Sequence, residues 1–208
     1  MIKAWHIAKA NIRKHKGAVA ALFVIIMIMS AFTSIGLSLI LGARKDFLAS
    51  ADRLNSLHSL FVMTKDQYMP AYEDIIKNDP RVEQYERGEV LNADRMKLDY
   101  GGEIDVGVLL LNLDSPISIS APKITKQDLS VPLDTAIYLP VFAEGFGYKT
   151  GDQFTVEYRN RPFDLTIAGF FESNELSVTN GMILKFFAPA ECYDELAQYI
   201  GRSVWIRG

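Results

Sequence analysis

Between Gly17 and Ala43 the chain carries no charged residue: GAVAALFVIIMIMSAFTSIGLSLILGA. An unbroken apolar run of this length reads as a membrane-spanning helix. At ~1.5 Å of rise per residue it covers roughly 40 Å, against ~30 Å of bilayer hydrocarbon. The helical pattern continues into RKDFLASADRLNSLHSL, where Phe47, Ala51, Leu54 and Leu57 form an apolar stripe with charges between them and neither Pro nor Gly intervenes. A stalk helix over residues 44–58 is therefore expected.

After residue 58 the period shortens. Residues 60–64 (LFVMT) read as a strand. Residues 67–77 read as a helix with Tyr68, Tyr72, Ile75 and Ile76 inward, ended by Asn78-Asp79-Pro80. Residues 81–91 and 96–100 are strand-like, and a Gly101-Gly102 turn leads into the apolar run 104–113, a buried strand. Residues 115–133 hold Pro116, Pro122 and Pro132 and read as loop. A short strand follows at 136–139, then a hairpin of 154–158 and 163–171 around Arg159–Pro162. A strand at 182–187, a helix at 189–200 and a strand at 203–206 complete the pattern. VWIRG thus ends in what reads as the middle of a sheet. The expected fold class is α+β: one N-terminal transmembrane helix, continuing as a stalk into a mixed α/β domain.

Charge orients the helix. Lys3, Lys9, Arg13, Lys14 and Lys16 precede the span with no Asp or Glu among them, while Arg44 and Lys45 follow it beside Asp46. Lys/Arg excess holds a short flank in the cytoplasm, so the N-terminus is expected inside and residues from about Arg44 onward outside. A cleaved signal peptide is the competing reading. Its apolar region is usually ~7–15 residues and ends at small residues, whereas this run is far longer and Leu41 stands where a small residue is wanted. The segment before the span places Ile2, Trp5, Ala8 and Ile12 at helical spacing against Lys and Arg. It reads as an in-plane amphipathic elbow, or more simply as a basic flank. Within the span, Ser30, Ser34, Ser38 and Gly42 recur every fourth residue and line one face. Small faces let helices approach closely in lipid, so this stripe is a candidate packing face, although small residues are common in such helices.

The whole chain of 208 residues has net charge −3, and removing the five cations before Gly17 leaves −8 on the remainder. An acidic outer part argues against nucleic acid and against an anionic membrane surface. About 160 residues follow the span, the size of one domain. The single cysteine, Cys192, excludes an intrachain disulfide. This suits a bacterial envelope protein.

Catalytic material is sparse. His6 and His15 fall on the inner side and His58 is the one outer histidine. A Cys192/His58 nucleophile pair is conceivable, but Cys192, Leu196 and Tyr199 share the apolar face of a helix, which makes Cys192 core. No GxxxxGK[ST] loop is present, so no nucleotide site of that kind is carried. The most distinctive outer segment is IYLPVFAEGFGYKTGDQFTVEYRNRPFDLTIAGFFE at 137–172: strand, helical turn, the tight turn Lys149-Thr150-Gly151-Asp152, then two strands. Gly151 supplies backbone freedom there and Asp152 caps the turn.

In order, Leu139-Pro140, Gly147, Lys149 to Val156 and Leu165 to Phe170 make a stretch that resembles the outer domain of the FtsX-like permease family of ABC transporters, the MacB type. AKANIRKHKGAVAALFVIIMIMSAFTSIGLSL is similar to that family's opening, a basic elbow and first membrane helix. The resemblance spans nearly the whole chain, with Gly151 and Asp152 as the motif turn. It implies a separate ABC ATPase subunit and a second permease chain or further permease helices as partners, beside the lipid bilayer. It also implies mechanotransmission, with no cofactor, metal or catalytic residue. Such permeases carry further membrane helices after the outer domain, so the expected organisation is 1–16 elbow, 17–43 transmembrane helix, 44–58 stalk and 59–208 extracytoplasmic MacB-like domain, incomplete at its C-terminal end. A single-pass anchored binding or sensor module is the alternative.

Overall fold

The computed structural model describes residues 16–56, 59–99, 102–172 and 183–207. The chain divides into two compact units, Met1–Ser50 and Ala51–Gly208. In the first unit and just beyond it runs helix α1 (Lys16–Arg53). Its stretch Lys16–Asp46 has mean hydropathy 2.5 and is not buried against other protein. Large apolar side chains from Leu22 to Leu41 are exposed all round it. A helix apolar on every side and covered by nothing is suited to lipid.

α1 stops at Arg53, short of the expected residue 58. The cause is local. Leu54 turns inward and is buried, and Asn55 takes a left-handed backbone (φ 44°), which Asn tolerates better than most residues. Leu57 and His58, included in the stalk expectation, lie outside the described residues, as do residues 1–15 of the elbow and all three histidines.

The second unit is built on a mixed sheet of nine strands among the described residues: β1 (Leu60–Thr64), β2 (Glu86–Asp99), β3 (Glu103–Asn112), β4 (Lys123–Gln127), β5 (Ala136–Pro140), β6 (Gln153–Tyr158), β7 (Arg161–Glu172), β8 (Ile183–Ala188) and β9 (Arg202–Arg207). Their order is β1-β9-β2-β3-β8-β5-β7-β4, with β6 pairing both β2 and β7. β3–β8 and β5–β7 are parallel and the remaining pairs antiparallel. β9 lies between β1 and β2, so the closing VWIR is an interior strand as its pattern predicts. Helices α2 (Pro70–Lys77) and α3 (Ala190–Ala197) and a 3-10 turn (Val141–Phe146) complete the unit.

Both sheet faces are covered, which explains the continuous apolar runs. On β3, Val108 and Leu110 join one buried cluster while Leu109 and Leu111 join the other. β5 and β8 divide likewise: Ile137, Leu139 and Phe186 on one side, Tyr138 and Phe187 on the other. α3 covers the first cluster with Cys192, Tyr193 and Leu196. On β7 the alternation slips, because Ile137 pairs Ile167 but Tyr138 pairs Gly169. This bulge lets Ile167 and Phe170 share one cluster, with Ala168 and Phe171 in the other.

Four sequence expectations change. The two strands at 81–91 and 96–100 are a single β2, bulged between Ala93 and Met96. The proline-rich loop contains β4, paired to the end of β7. The helix expected from residue 67 starts at Pro70, whose fixed φ and missing N–H suit a first turn. Its inward face also fails: none of its residues is buried and Ile75 is 68% exposed. α2 is tied to the sheet by polar groups instead. Arg87 on β2 donates to Tyr68 Oη (3.1 Å) and Glu73 Oε1 (3.1 Å), and Tyr68 donates to the same carboxylate. These donors hold the Glu73 carboxyl below its usual pKa, with the Tyr68 hydroxyl the largest cause.

Candidate functional site

The expected functional residues fall in the two separate units. Lys16 opens α1 and is exposed, whereas Lys3, Lys9, Arg13 and Lys14 lie outside the described residues. Ser30, Ser34, Ser38 and Gly42 sit at four-residue spacing on α1 and all four are exposed, with open space around Gly42. Nearby, Thr33 Oγ1 donates to Met29 O (2.8 Å), satisfying its hydroxyl within the helix.

Gly151 and Asp152 form the turn that their residue types predict. Gly151 has φ 87°, Asp152 Oδ2 accepts from Lys149 N (2.8 Å), and Asp152 N donates to Lys149 O (3.2 Å). Gly151 N then donates to Ile167 O (2.8 Å) and Ile167 N to Asp152 O (2.9 Å), fastening the turn to β7. This geometry explains both residues structurally: the carboxylate accepts backbone protons and orders the entry to β6.

Within the second unit, the end of α1 is held by groups the sequence pattern does not flag. Arg53 Nη1 lies 2.8 Å from Glu172 Oε2 at the end of β7, and Lys123 Nζ approaches the same oxygen at 3.9 Å. Leu54 is buried. Asn55 Nδ2 donates to Ser118 O (3.2 Å), and Ser120 N donates to Asn55 O (2.8 Å). Ser118 in turn faces Glu86: its N–H (2.7 Å) and hydroxyl both donate to Oε1, while Ile119 N donates to Oε2 (3.1 Å). Glu86 Oε2 also stands 3.7 Å from Arg207 Nε. The Arg207 guanidinium is almost wholly buried, stacks on Trp205 (3.9 Å) and donates to Ile119 O (2.9 Å). A buried arginine needs this many partners to offset lost hydration. The loop 113–122 is thereby held between the end of α1 and the last residue of β9.

Beside this network lies a groove of about 690 Å3, within the usual range for ligand sites. Phe61, Ile75, Ile76, Val82 and Ile119 supply its apolar lining and Asp79 and Arg81 its polar rim. Arg81 engages Asp79 through Nε (2.9 Å) and Nη2 (2.6 Å), which lowers the Asp79 pKa to about 2.

Nucleophilic chemistry finds little support. Cys192 is fully buried, and desolvation, with Glu195 and Asp134 nearby, pushes its thiol up to about 12. A thiol held protonated is no nucleophile. Its conceived partner His58 lies outside the described residues. Among the described residues no group of three or more His, Cys, Asp or Glu is arranged to hold a metal ion.

No protein-family model matches the chain. No curated protein matches it either. Several solved structures do. The extracellular domain of the ABC-type transporter YknZ from Gram-positive bacteria is 14% identical, with 72% of this chain and 81% of that one covered and a TM-score of 0.36. A permease-protein domain from Porphyromonas gingivalis is 16% identical over 71% of this chain and 69% of that one, TM-score 0.36. The periplasmic region of MacB from Actinobacillus actinomycetemcomitans is 11% identical over 71% and 73%, TM-score 0.38.

Proposed function

We propose that this chain is the N-terminal part of an ABC transporter permease subunit of the FtsX-like, MacB type, anchored by α1 with its N-terminus in the cytoplasm. The reading is carried by the continuity of α1: one helix runs from the apolar span to Arg53, and Arg53, Leu54 and Asn55 are each engaged by the domain that follows. The ordered motif around Gly151-Asp152 and the basic flank before the span support it from the sequence side. In this reading a separate ATPase subunit drives the motion, further permease helices pack on the Ser30–Ser34–Ser38–Gly42 face, and α1 passes the motion to the outer domain. The chain contributes stiffness and grip rather than chemistry. The alternative, a single-pass binding or sensor module, draws on the 690 Å3 groove.

Stiffness separates the two. Gly-Gly at Ala49-Ser50 costs about 1 kcal/mol of helix stability per residue and adds a hinge, and Ala51→Pro breaks the helix at ~3 kcal/mol or more. In the full permease with its ATPase, both changes are expected to uncouple ATP hydrolysis from export while expression and ATPase binding persist. Charge swaps at Lys45 and Asp52 are expected to be silent. Normal export by the hinge variants would leave α1 a tether and favour the binding module.

A further inference from the structure

The arginines of the second unit divide into two groups. Arg53, Arg81, Arg87, Arg95, Arg202 and Arg207 each lie within 4.0 Å of a carboxylate. Arg159 and Arg161 have no carboxylate partner among the described residues, in a chain whose balance is acidic. Both are exposed and both are held over aromatic rings. The Arg159 guanidinium lies 5.1 Å from the Tyr158 ring, and that of Arg161 lies 3.7 Å from the Tyr199 ring and 5.5 Å from Phe163.

The backbone sets them there. Tyr158 pairs Arg161 across the β6–β7 ladder, leaving Arg159 and Asn160 as a two-residue turn. Both have positive φ, 52° and 62°, as a type I′ turn demands. An arginine at such a position is conformationally costly, since Gly or Asn would serve the turn better. Each guanidinium lies over a ring while its residue stays exposed, so less freedom is lost when a carboxylate docks. Arg, Tyr and Phe without paired charge are also the composition of an interface centre.

What docks can be narrowed. Arg161 also lines a cavity of about 190 Å3, with Asp134, Asp164, Glu195 and Phe163 in its wall. It is smaller than the ~300 Å3 of an ordinary small-molecule site. Its carboxylates repel a dense polyanion, such as a phosphate polymer or an anionic membrane. They favour a partner that sets an acidic side chain on the arginines and a basic one in the cavity. We infer that the β6–β7 tip, with Arg159, Arg161 and Tyr199, is a docking patch for a polypeptide segment carrying adjacent acidic and basic residues.

The test uses the full chain in phosphatidylcholine nanodiscs and a fluorescein-labelled peptide of alternating glutamate and lysine, read by anisotropy. The peptide is expected to bind, and the double change Arg159→Gln/Arg161→Gln to weaken it by about tenfold. Arg161→Lys is expected to weaken it too, since an ammonium lacks the planar fork. Arg95→Gln, which breaks a 3.8 Å pair with Asp105 elsewhere, is expected to leave it unchanged, with circular dichroism showing every variant folded. Equal binding by wild type and the double variant overturns the inference. So does tighter binding of polyglutamate or inorganic polyphosphate, which makes the tip a polyanion site. Wild-type self-association that the double variant abolishes also overturns it, making a second copy the occupant.

Discussion

Arg53 Nη1 lies 2.8 Å from Glu172 Oε2, so the last residue of α1 is fastened to the last residue of β7. The pair is half exposed, at 49% and 31%, and water screens it. A double-mutant cycle on Arg53→Ala and Glu172→Ala is expected to return about 0.5 kcal/mol of coupling. Leu54, 8% exposed, is expected to contribute more: Leu54→Ala should cost about 2–3 kcal/mol in denaturant unfolding. The salt bridge would then set direction and the leucine strength. A coupling larger than the Leu54 loss would reverse that ranking.

Gly169 and Gly88 are expected to resist alanine for steric reasons. A Cβ on Gly169 would fall 2.4 Å from Lys126 O, a backbone atom locked in the β4–β7 ladder, and 2.7 Å from Tyr138 Cε1. On Gly88 it would fall 2.4 Å from Trp205 Cζ2, whose indole is itself held by Nε1 donating to Glu89 O (3.0 Å). Each substitution should cost about 3 kcal/mol, with Gly169→Ala the worse because a backbone carbonyl yields least. Gly151→Ala meets open space and pays only for φ 87°, about 1–2 kcal/mol. Thermal unfolding of the three variants tests the order.

Asp79 gives a pH signature. Its folded pKa of about 2 lies below the ordinary 3.8, chiefly through the Arg81 side chain and then the Arg81 backbone N–H. A depressed carboxyl stabilises the fold above its unfolded pKa, and that contribution disappears as pH falls from about 4 to 2. Carboxyl NMR should therefore find Asp79 titrating near 2, and Arg81→Gln should move it most of the way back toward 3.8. An unchanged titration in Arg81→Gln would show that the ion pair is absent in solution.

Thiol labelling reads topology on a clean background. Cys192 is fully buried with its thiol pushed up to about 12, so the unmodified chain should not react with an impermeant maleimide. Ser59→Cys, at an exposed position, should label on intact spheroplasts and Ala10→Cys only after lysis. The reverse pattern would invert the proposed orientation and remove the transporter reading with it.

Much of the chain was legible from residue order, because those elements depend on neighbours in sequence. An apolar run without charge makes a helix in lipid whatever follows it, so α1 announces itself from Gly17 to Ala43. The β6–β7 hairpin, the Lys149–Asp152 turn and strands β3, β5, β8 and β9 carry their own alternation, turn chemistry or unbroken apolar run. Even the interior place of β9 could be read from VWIR, since a strand apolar on successive residues must be covered on both faces.

What the tertiary structure decided involves partners far apart in the chain. β4 reads as proline-rich loop until β7 offers it a ladder 40-odd residues away. α2 has the spacing of a buried face, yet Tyr68, Glu73 and Arg87 hold it by polar contacts and leave Ile75 in water. The buried Arg207 depends on Glu86, Ile119 and Trp205, three separate parts of the chain. The contrast between Arg159 and Arg161 and the paired arginines appears only when the described carboxylates have their places. Periodicity reports which side of an element is apolar. Which charge meets which is fixed by the folded sheet, because an ion pair is a matter of a few ångströms and sequence separation does not measure it.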